Sequence, residues 1–329
     1  MKKKNIIFLG LLFLVVIPEI NYSQYELKYA GSMNVIKRSE NDIIVYWRDS
    51  VLIYYDYKNI ISNSAFYSQA ESLLVFRGDV ILEDTVNKIT SDSLYVFLKD
   101  SLILSYYSVN FLCEKDSINI KAESLMYYYG KKYGKVFKNV ECNYNNYLIR
   151  ADSVYIFGQI DSLYFWSNVQ LKKEDFLAKT DFAKIKIDSS LIKLFNKPQL
   201  VMGKSFLKGT NIDIVYKDKN IDSIIVDGYA SGRILSIDSL KKDTILVYFS
   251  SRNMNIDIDL NKLKTVELLK NSEVEYEETN LKTKEKKKNK LSGYFIKIEF
   301  ANDSINKIFL SKDVEGTYIS SKEKEKNER

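Results

Sequence analysis

Histidine is missing from all 329 residues, and cysteine and proline occur only twice each. Without histidine there can be no Ser-His-Asp triad, no imidazole base and no His-ligated zinc. Two cysteines cannot complete a structural zinc site by themselves. Glycine is scarce at 12, whereas Tyr and Phe number 25 and 17, a balance that favours strands over loops. The net charge of +6 is local rather than global. Lys2, Lys3 and Lys4 open the chain, and six more lysines fall between Leu281 and Lys290, so the remainder is close to neutral. A nucleic-acid-binding body needs a basic face across the fold, so nucleic acid is excluded as a partner.

What the chain does have is a repeat of about 30 residues. Ser91-Asp92-Ser93-Leu94-Tyr95, Ala122-Glu123-Ser124-Leu125-Met126 and Ala151-Asp152-Ser153-Val154-Tyr155 are three copies of one element, followed by weaker copies around Asp181 and Asn211. Upstream of each acid lies a pair of apolar residues two apart: Val80 and Leu82, Phe111 and Cys113, Val140 and Cys142, Val169 and Leu171. Two apart is the period of one face of a strand. Downstream the apolar positions are Leu94 and Val96, Leu125 and Tyr127, Val154 and Ile156, Ala183 and Ile185. Inward parity changes across the acidic residue, which requires a bulge or corner there. The predicted fold is all-β: one elongated open jelly roll or repeat sandwich, a stack of units that cannot bury their apolar faces alone. Second turns are expected at Lys99-Asp100-Ser101, Ile160-Asp161-Ser162, Ile187-Asp188-Ser189 and Ile221-Asp222-Ser223, where Asp and Ser side chains can bond nearby amides.

Three segments stand outside this pattern. Residues 1–23 read as a cleavable signal peptide, with three lysines, an apolar run from Ile6 to Ile17, and cleavage near Ser23; an uncleaved anchor is the alternative, because Asn21 suits the cut poorly. The body is expected to span 24–318. Within it, 279–290 reads as a Lys-rich disordered insert, solvated or touching anionic headgroups, and 319–329 as a disordered charged tail.

The carboxylates recur with the repeat, so turn and corner chemistry explains them better than a glycosidase-type pair. A calcium ladder along Asp92, Glu123, Asp152 and Asp181 lacks the glycine-rich nonapeptide of calcium-binding β-rolls. No enzyme activity, metal or cofactor is expected. Cys113 and Cys142 share one column 29 residues apart; read as neighbouring rungs about 5 Å apart they are in reach of a disulfide, and a pair of buried thiols is the equal alternative. Trp47 and Trp166 are expected in the core or lining a groove.

Gly78-Asp79-Val80-Ile81-Leu82 leading to Ile89-Thr90-Ser91-Asp92-Ser93-Leu94-Tyr95, and Phe137-Lys138-Asn139-Val140 leading to Leu148-Ile149-Arg150-Ala151-Asp152-Ser153-Val154-Tyr155, resemble the OstA-like family. This family includes periplasmic lipopolysaccharide-transport proteins of the LptA type and the N-terminal domain of LptD. The resemblance spans most of residues 30–260 and is to the longer, Bacteroidota-type members; units after Ala183 are eroded. It implies an open jelly roll whose apolar interior shields the acyl chains of lipid A, and partners met by edge-strand pairing: other Lpt-type components or further copies of the chain. The groove would then be lined by Val80, Leu82, Leu94, Val96, Phe111, Leu125, Tyr127, Val140, Val154, Ile156, Val169, Leu171 and Ile185. The implied function is non-enzymatic transport of lipopolysaccharide through the periplasm to the outer membrane. The alternative is a secreted structural or adhesive repeat protein with a closed core and no lipid ligand.

Overall fold

The computed structural model describes residues 25–131, 133–157, 161–217, 220–238, 243–259, 262–280, 286–301 and 304–321. The signal-peptide segment 1–23 and the tail beyond 321 lie outside these residues. The strands are β1 (Tyr25–Tyr29), β2 (Ser32–Ser39), β3 (Asp42–Tyr55), β4 (Lys58–Ser68), β5 (Leu73–Glu83), β6 (Asn87–Phe97), β7 (Leu102–Cys113) and β8 (Ile118–Tyr128). Then follow β9 (Tyr133–Tyr144), β10 (Tyr147–Phe157), β11 (Ser162–Lys173), β12 (Phe176–Lys186), β13 (Leu191–Phe195), β14 (Gln199–Met202), β15 (Ser205–Lys208) and β16 (Asn211–Lys217). The last six are β17 (Asn220–Asp238), β18 (Asp243–Asp259), β19 (Lys262–Asn280), β20 (Lys286–Ala301), β21 (Ser304–Ser311) and β22 (Glu315–Ser321). One 3-10 turn, Tyr129–Lys131, interrupts them.

All described strands join one antiparallel ladder. In four places two short strands are the two halves of a single rung: β1/β2 on β3, β13/β14 on β12, β15/β16 on β17, and β21/β22 on β20. That leaves eighteen rungs, each hydrogen-bonded to the next in chain order. At about 4.8 Å per strand the stack is roughly 80 Å long. The architecture is therefore an all-β, elongated jelly roll.

Each rung is bent at its middle. In alternate rungs two consecutive residues take left-handed backbone angles: Asp49-Ser50, Gly78-Asp79, Tyr107-Ser108, Lys138-Asn139, Ser167-Asn168, Asn196-Lys197, Gly228-Tyr229, Lys270-Asn271 and Lys312-Asp313. Opposite each such pair in the regular rungs stands a single residue: Asp92 faces Gly78-Asp79, because Arg77 pairs with Ser93 and Val80 with Ser91. This two-against-one bulge turns both strands through a corner; the bulged strand keeps its inward parity, as Val136 and Val140 show, while the strand with the single residue swaps it. Ile149 and Ala151 before Asp152, and Val154 and Ile156 after it, are consequently all buried. The expected parity switch is thus present, although the segments on either side of it form one bent strand rather than two.

The bend divides every rung into two arms, called A and B here. Arm A runs to the turns near 56, 85, 115, 145, 175 and 203; arm B runs to those near 70, 100, 130 and 188. Facing arms enclose one continuous apolar core from Trp47 to Ile298. The repeat of 29 to 31 residues is simply two rungs, one out and one back.

The acids at the corners act through side chains. Asn168 Nδ2 donates to Asp152 Oδ2 at 2.9 Å, Asn139 Nδ2 to Glu123 Oε1 at 2.5 Å, and Ser108 Oγ to Asp92 Oδ2 at 3.4 Å. At the Gly78 corner the polarity is reversed, with Asn63 Nδ2 donating to Asp79 Oδ2 at 3.0 Å. A Cβ on Gly78 would lie 2.7 Å from that same Asn63 amide, on top of a φ of +78°, so glycine is required there. Non-glycine residues in this conformation cost about 1–2 kcal/mol each, and the cross-corner hydrogen bond offsets part of that cost.

Two tyrosine pairs join the arms at their tips. Tyr55 on arm A meets the hydroxyl of Tyr129 on arm B, and Tyr144 meets Tyr216 with 2.7 Å between hydroxyls. Tyr147 lies beside the second pair with its hydroxyl buried and without a hydrogen-bond partner among the described residues.

Three expectations need correction. Lys286–Lys290 is not a disordered insert: it begins β20, paired with Glu275–Thr279 of β19, and Lys288 bridges Glu275 and Glu277 while Lys290 lies 3.8 Å from Glu273. Glutamates at alternate positions of the neighbouring strand neutralise the lysine run, which composition alone could not reveal; Thr279 and Asn280 end β19, and 281–285 lie outside the described residues. Residues 319–321 belong to β22 rather than to a tail, because they pair with Lys286–Lys288. Ile221-Asp222-Ser223 is strand, within β17, where Ile221 pairs with Tyr216 and Ser223 with Val215; turns do occur at 98–101 and 187–190.

Two outcomes test this account. Replacing Asn168 by Ala adds left-handed strain and removes the bond to Asp152, so urea titration should show a loss of about 1–2 kcal/mol, while Asn168→Gly stays close to wild type. Burial pushes Tyr147 and Tyr25 up to about 12 from 10.0 and also raises Tyr144 and Tyr216. The folded chain then keeps protons that the unfolded chain releases, so stability is complete below pH 10 and declines between about pH 10 and 12. The Tyr147→Phe variant should be as stable as wild type or up to about 1 kcal/mol more so at neutral pH, with a shallower alkaline decline; an unchanged slope would contradict the assignment.

Candidate functional site

The thirteen residues expected to line a groove all point into the space between the arms. Val80, Leu82, Phe111, Val140, Val169 and Leu171 project from arm A; Leu94, Val96, Leu125, Val154, Ile156 and Ile185 project from arm B. All twelve are buried, and Tyr127 is half-buried against them. Along these rungs the arms pack on one another, with the tyrosine pairs at their tips. The columns belong to one apolar interior, but the open volume lies further along the stack.

That volume is a cavity of about 540 Å³. It sits between the tip of the β14/β15 hairpin on arm A and the arm B ends of β17, β18, β19 and β20. Its walls are Leu200, Ile234, Phe249, Ile256, Leu263 and Phe300, with Phe176 and Ile221 at its sides. Lys173, Glu174, Asp175, Lys204 and Lys262 form a charged rim. Its size lies in the range of small-ligand sites, and apolar walls with a polar rim suit an aliphatic chain whose head stays in water.

The cavity arises from a change in strand length. Arm A of β15 is only Ser205–Lys208, and it pairs with Ser231–Arg233 of β17. The arm A half of β17 continues to Asp238 and pairs there with β18. The short rung therefore leaves the inner face of the longer ones uncovered. A wider depression of about 970 Å³ lies on the outer side of the same step, among Phe206, Arg233, Tyr248, Glu275 and Lys290, and its mixed charges distinguish it from the apolar interior.

None of the cavity's wall residues was among the expected groove residues, since those were drawn from the regular units before Ile187. The available signal was the lengthening of the corner spacing, from 32 residues between Asn196 and Gly228 to 42 between Gly228 and Lys270. Longer spacing at constant topology means longer arms, hence an overhang.

The cysteine geometry is corrected by the two-rung repeat. Cys113 on β7 pairs with Ile118 of β8, and Cys142 on β9 pairs with Ile120 of the same strand. With β8 between them, their Cα atoms are separated by about two strand spacings, roughly 10 Å, beyond the reach of a disulfide. Both are free, buried thiols. Cys113 Sγ–H donates to Asp116 Oδ2 at 3.5 Å, and burial pushes both thiols above their ordinary range. Trp47 is in the core as expected, at 3% exposed, but Trp166 is not: it stands on the outside of arm B at 46%, because its place beside the corner gives it outward parity.

No curated protein matches the chain. Among solved structures, the crystal structure of LptH, described as the LptA homologous periplasmic component of the conserved lipopolysaccharide transport device from Pseudomonas aeruginosa, is similar over 35% of this chain and 83% of its own, at 10% identity and a TM-score of 0.31. A likeness at that score adds nothing to the fold, which rests on the ladder itself. The model of one family, the LptA/(LptD N-terminal domain) LPS transport protein, matches residues 59–220, from the start of β4 to the start of β17. On that match, which holds the regular corner-bearing rungs and one wall of the cavity, residues 59–220 of the chain belong to the LptA/LptD N-terminal domain family.

Proposed function

We propose that the chain is a non-enzymatic carrier that shields the acyl chains of lipopolysaccharide as it crosses the periplasm toward the outer membrane. The observation that carries this reading is the apolar interior, unbroken from β3 to β20 and open at the side in the cavity beside β14/β15. Membership of a family described by lipopolysaccharide transport supports it. Each methylene moved from water into such an interior gains about 0.8 kcal/mol. Movement from one rung to an equivalent rung changes little, so direction must be supplied from outside this chain.

In this reading the cavity is where an acyl chain is held without displacing packed side chains. The thirteen inward residues form the path that opens when the arms part. The rim lysines Lys173, Lys204 and Lys262 stand where a headgroup phosphate would lie. Partners join at the ends of the ladder, where the outer edge of β2 and those of β21 and β22 carry no further strand among the described residues. Ser32–Ser39 is exposed throughout and presents Met33, Val35 and Ile36 beside its unpaired backbone. Free edges of this kind accept a strand from another transport component or from a second copy.

A photo-reactive residue at Phe249 or Leu263 should crosslink to lipopolysaccharide in cells. Positions in closed rungs, such as Phe111, Leu125 and Val154, should crosslink more weakly and only during active transport. Depletion of the protein should reduce surface lipopolysaccharide. Crosslinks confined to outward positions, together with unchanged surface lipopolysaccharide, would leave the structural or adhesive alternative standing.

A further inference from the structure

The two arms differ on their outer faces. On arm A from β6 to β11 the outward positions are mostly polar, among them Lys88, Asn110, Lys121, Glu141 and Arg150. On arm B, the segments 64–68, 73–77, 93–97, 102–106, 124–128, 133–137, 153–157, 162–166, 182–186 and 191–195 contain no Asp or Glu at all. Their outward side chains are chiefly aromatic and lysine.

One outward row runs in register from Tyr95 through Leu104, Met126, Lys135 and Tyr155 to Tyr164 and Lys184. Beside it the rings touch from rung to rung. Tyr133 lies 5.1 Å from Phe157, Phe157 is 5.1 Å from Tyr164, Trp166 is 4.3 Å from Phe182, and Phe182 is 5.1 Å from Phe195. Within the stripe Lys135 Nζ sits 5.0 Å over the ring of Tyr155, and Lys184 Nζ 4.7 Å over that of Tyr164. Phe157 and Trp166 remain 44% and 46% exposed.

This composition selects an occupant. A protein partner would be expected to exclude lysine from the centre of the contact. Here Lys135 lies inside the aromatic row and Lys184 closes it, each over a tyrosine ring, and the outward carboxylate of the adjoining rung, Asp213, is paired with Lys193 at 2.6 Å. Aromatic rings at headgroup depth, with lysines reaching anionic groups, are the chemistry of a membrane–water interface. A face of eight rungs from β6 to β13, about 34 Å long, is also larger than a compact ligand would cover.

We propose that the outer face of arm B, from β6 to β13, docks on the surface of an anionic lipid bilayer. The interior then carries its cargo alongside the bilayer, and docking is a separate property from loading.

The test uses the full chain and vesicles of phosphatidylcholine with and without phosphatidylglycerol. Wild type should co-float with the anionic vesicles, and high salt should release it. In a Trp47→Phe variant Trp166 is the only tryptophan left of the two, and its emission should shift to the blue on the same vesicles. Reversing both charges of the row, Lys135→Glu with Lys184→Glu, should weaken partitioning by roughly thirtyfold or more while crosslinking of lipopolysaccharide at Phe249 persists. Failure of wild type to float, or equal floating on neutral vesicles, overturns the proposal, as does a photo-reactive residue at 166 that captures protein while no vesicle binding is seen. Loss of the Phe249 crosslink in wild type would instead count against the carrier reading and leave docking to be judged on flotation.

Discussion

The left-handed pair at the middle of every second rung is the constraint on which the rest of the structure depends. Two residues against one make a bulge, the bulge makes a corner, and the corner gives each strand two arms that face each other. Without it the same alternating sequence would extend as a flat ribbon with its apolar face in water. The local conformation is unfavourable for any residue but glycine, so the chain places Asn, Asp, Ser or Gly at most of these sites and ties several of them to an acid or amide on the adjacent rung. Repeated acids in this chain therefore hold the corners of a scaffold. Their exposed positions, away from the interior, are what that role requires.

Function follows from how uniform the rungs are. Where successive arms match in length, as from β5 to β12, the inner faces close on each other and the seam is joined by tyrosines. Where a short rung meets long ones, at β15 and β17, the faces separate and an apolar cavity remains. Cargo space is thus set by a mismatch in strand length, a feature that a family of stacked rungs can vary by a few residues without altering the topology.

The outer faces show a similar economy. Arm B contributes inner aliphatic residues to the core and outer aromatic residues to a surface stripe, whereas outer arm A is largely polar. Interior and exterior of one sheet are independent because successive side chains point to opposite faces, so a single strand can serve two apolar environments at once.

The sequence by itself determined the all-β class, the period, the inward columns and the parity change at each acid, because side-chain alternation is a property of the local backbone. Val80, Leu94 and Val154, read as inward from alternation, are buried in the fold. What only the tertiary structure decided were relations between rungs. A repeat of 29 residues does not say whether it holds one strand or two, and that difference separates Cys113 from Cys142 by an intervening strand. A run of lysines does not reveal the glutamates paired across from it. An overhang between rungs of unequal length is invisible until both are aligned, so the cavity at Phe249 and Leu263 had no signature within any one segment. Local periodicity fixes which way a side chain points; pairing in three dimensions decides what it meets.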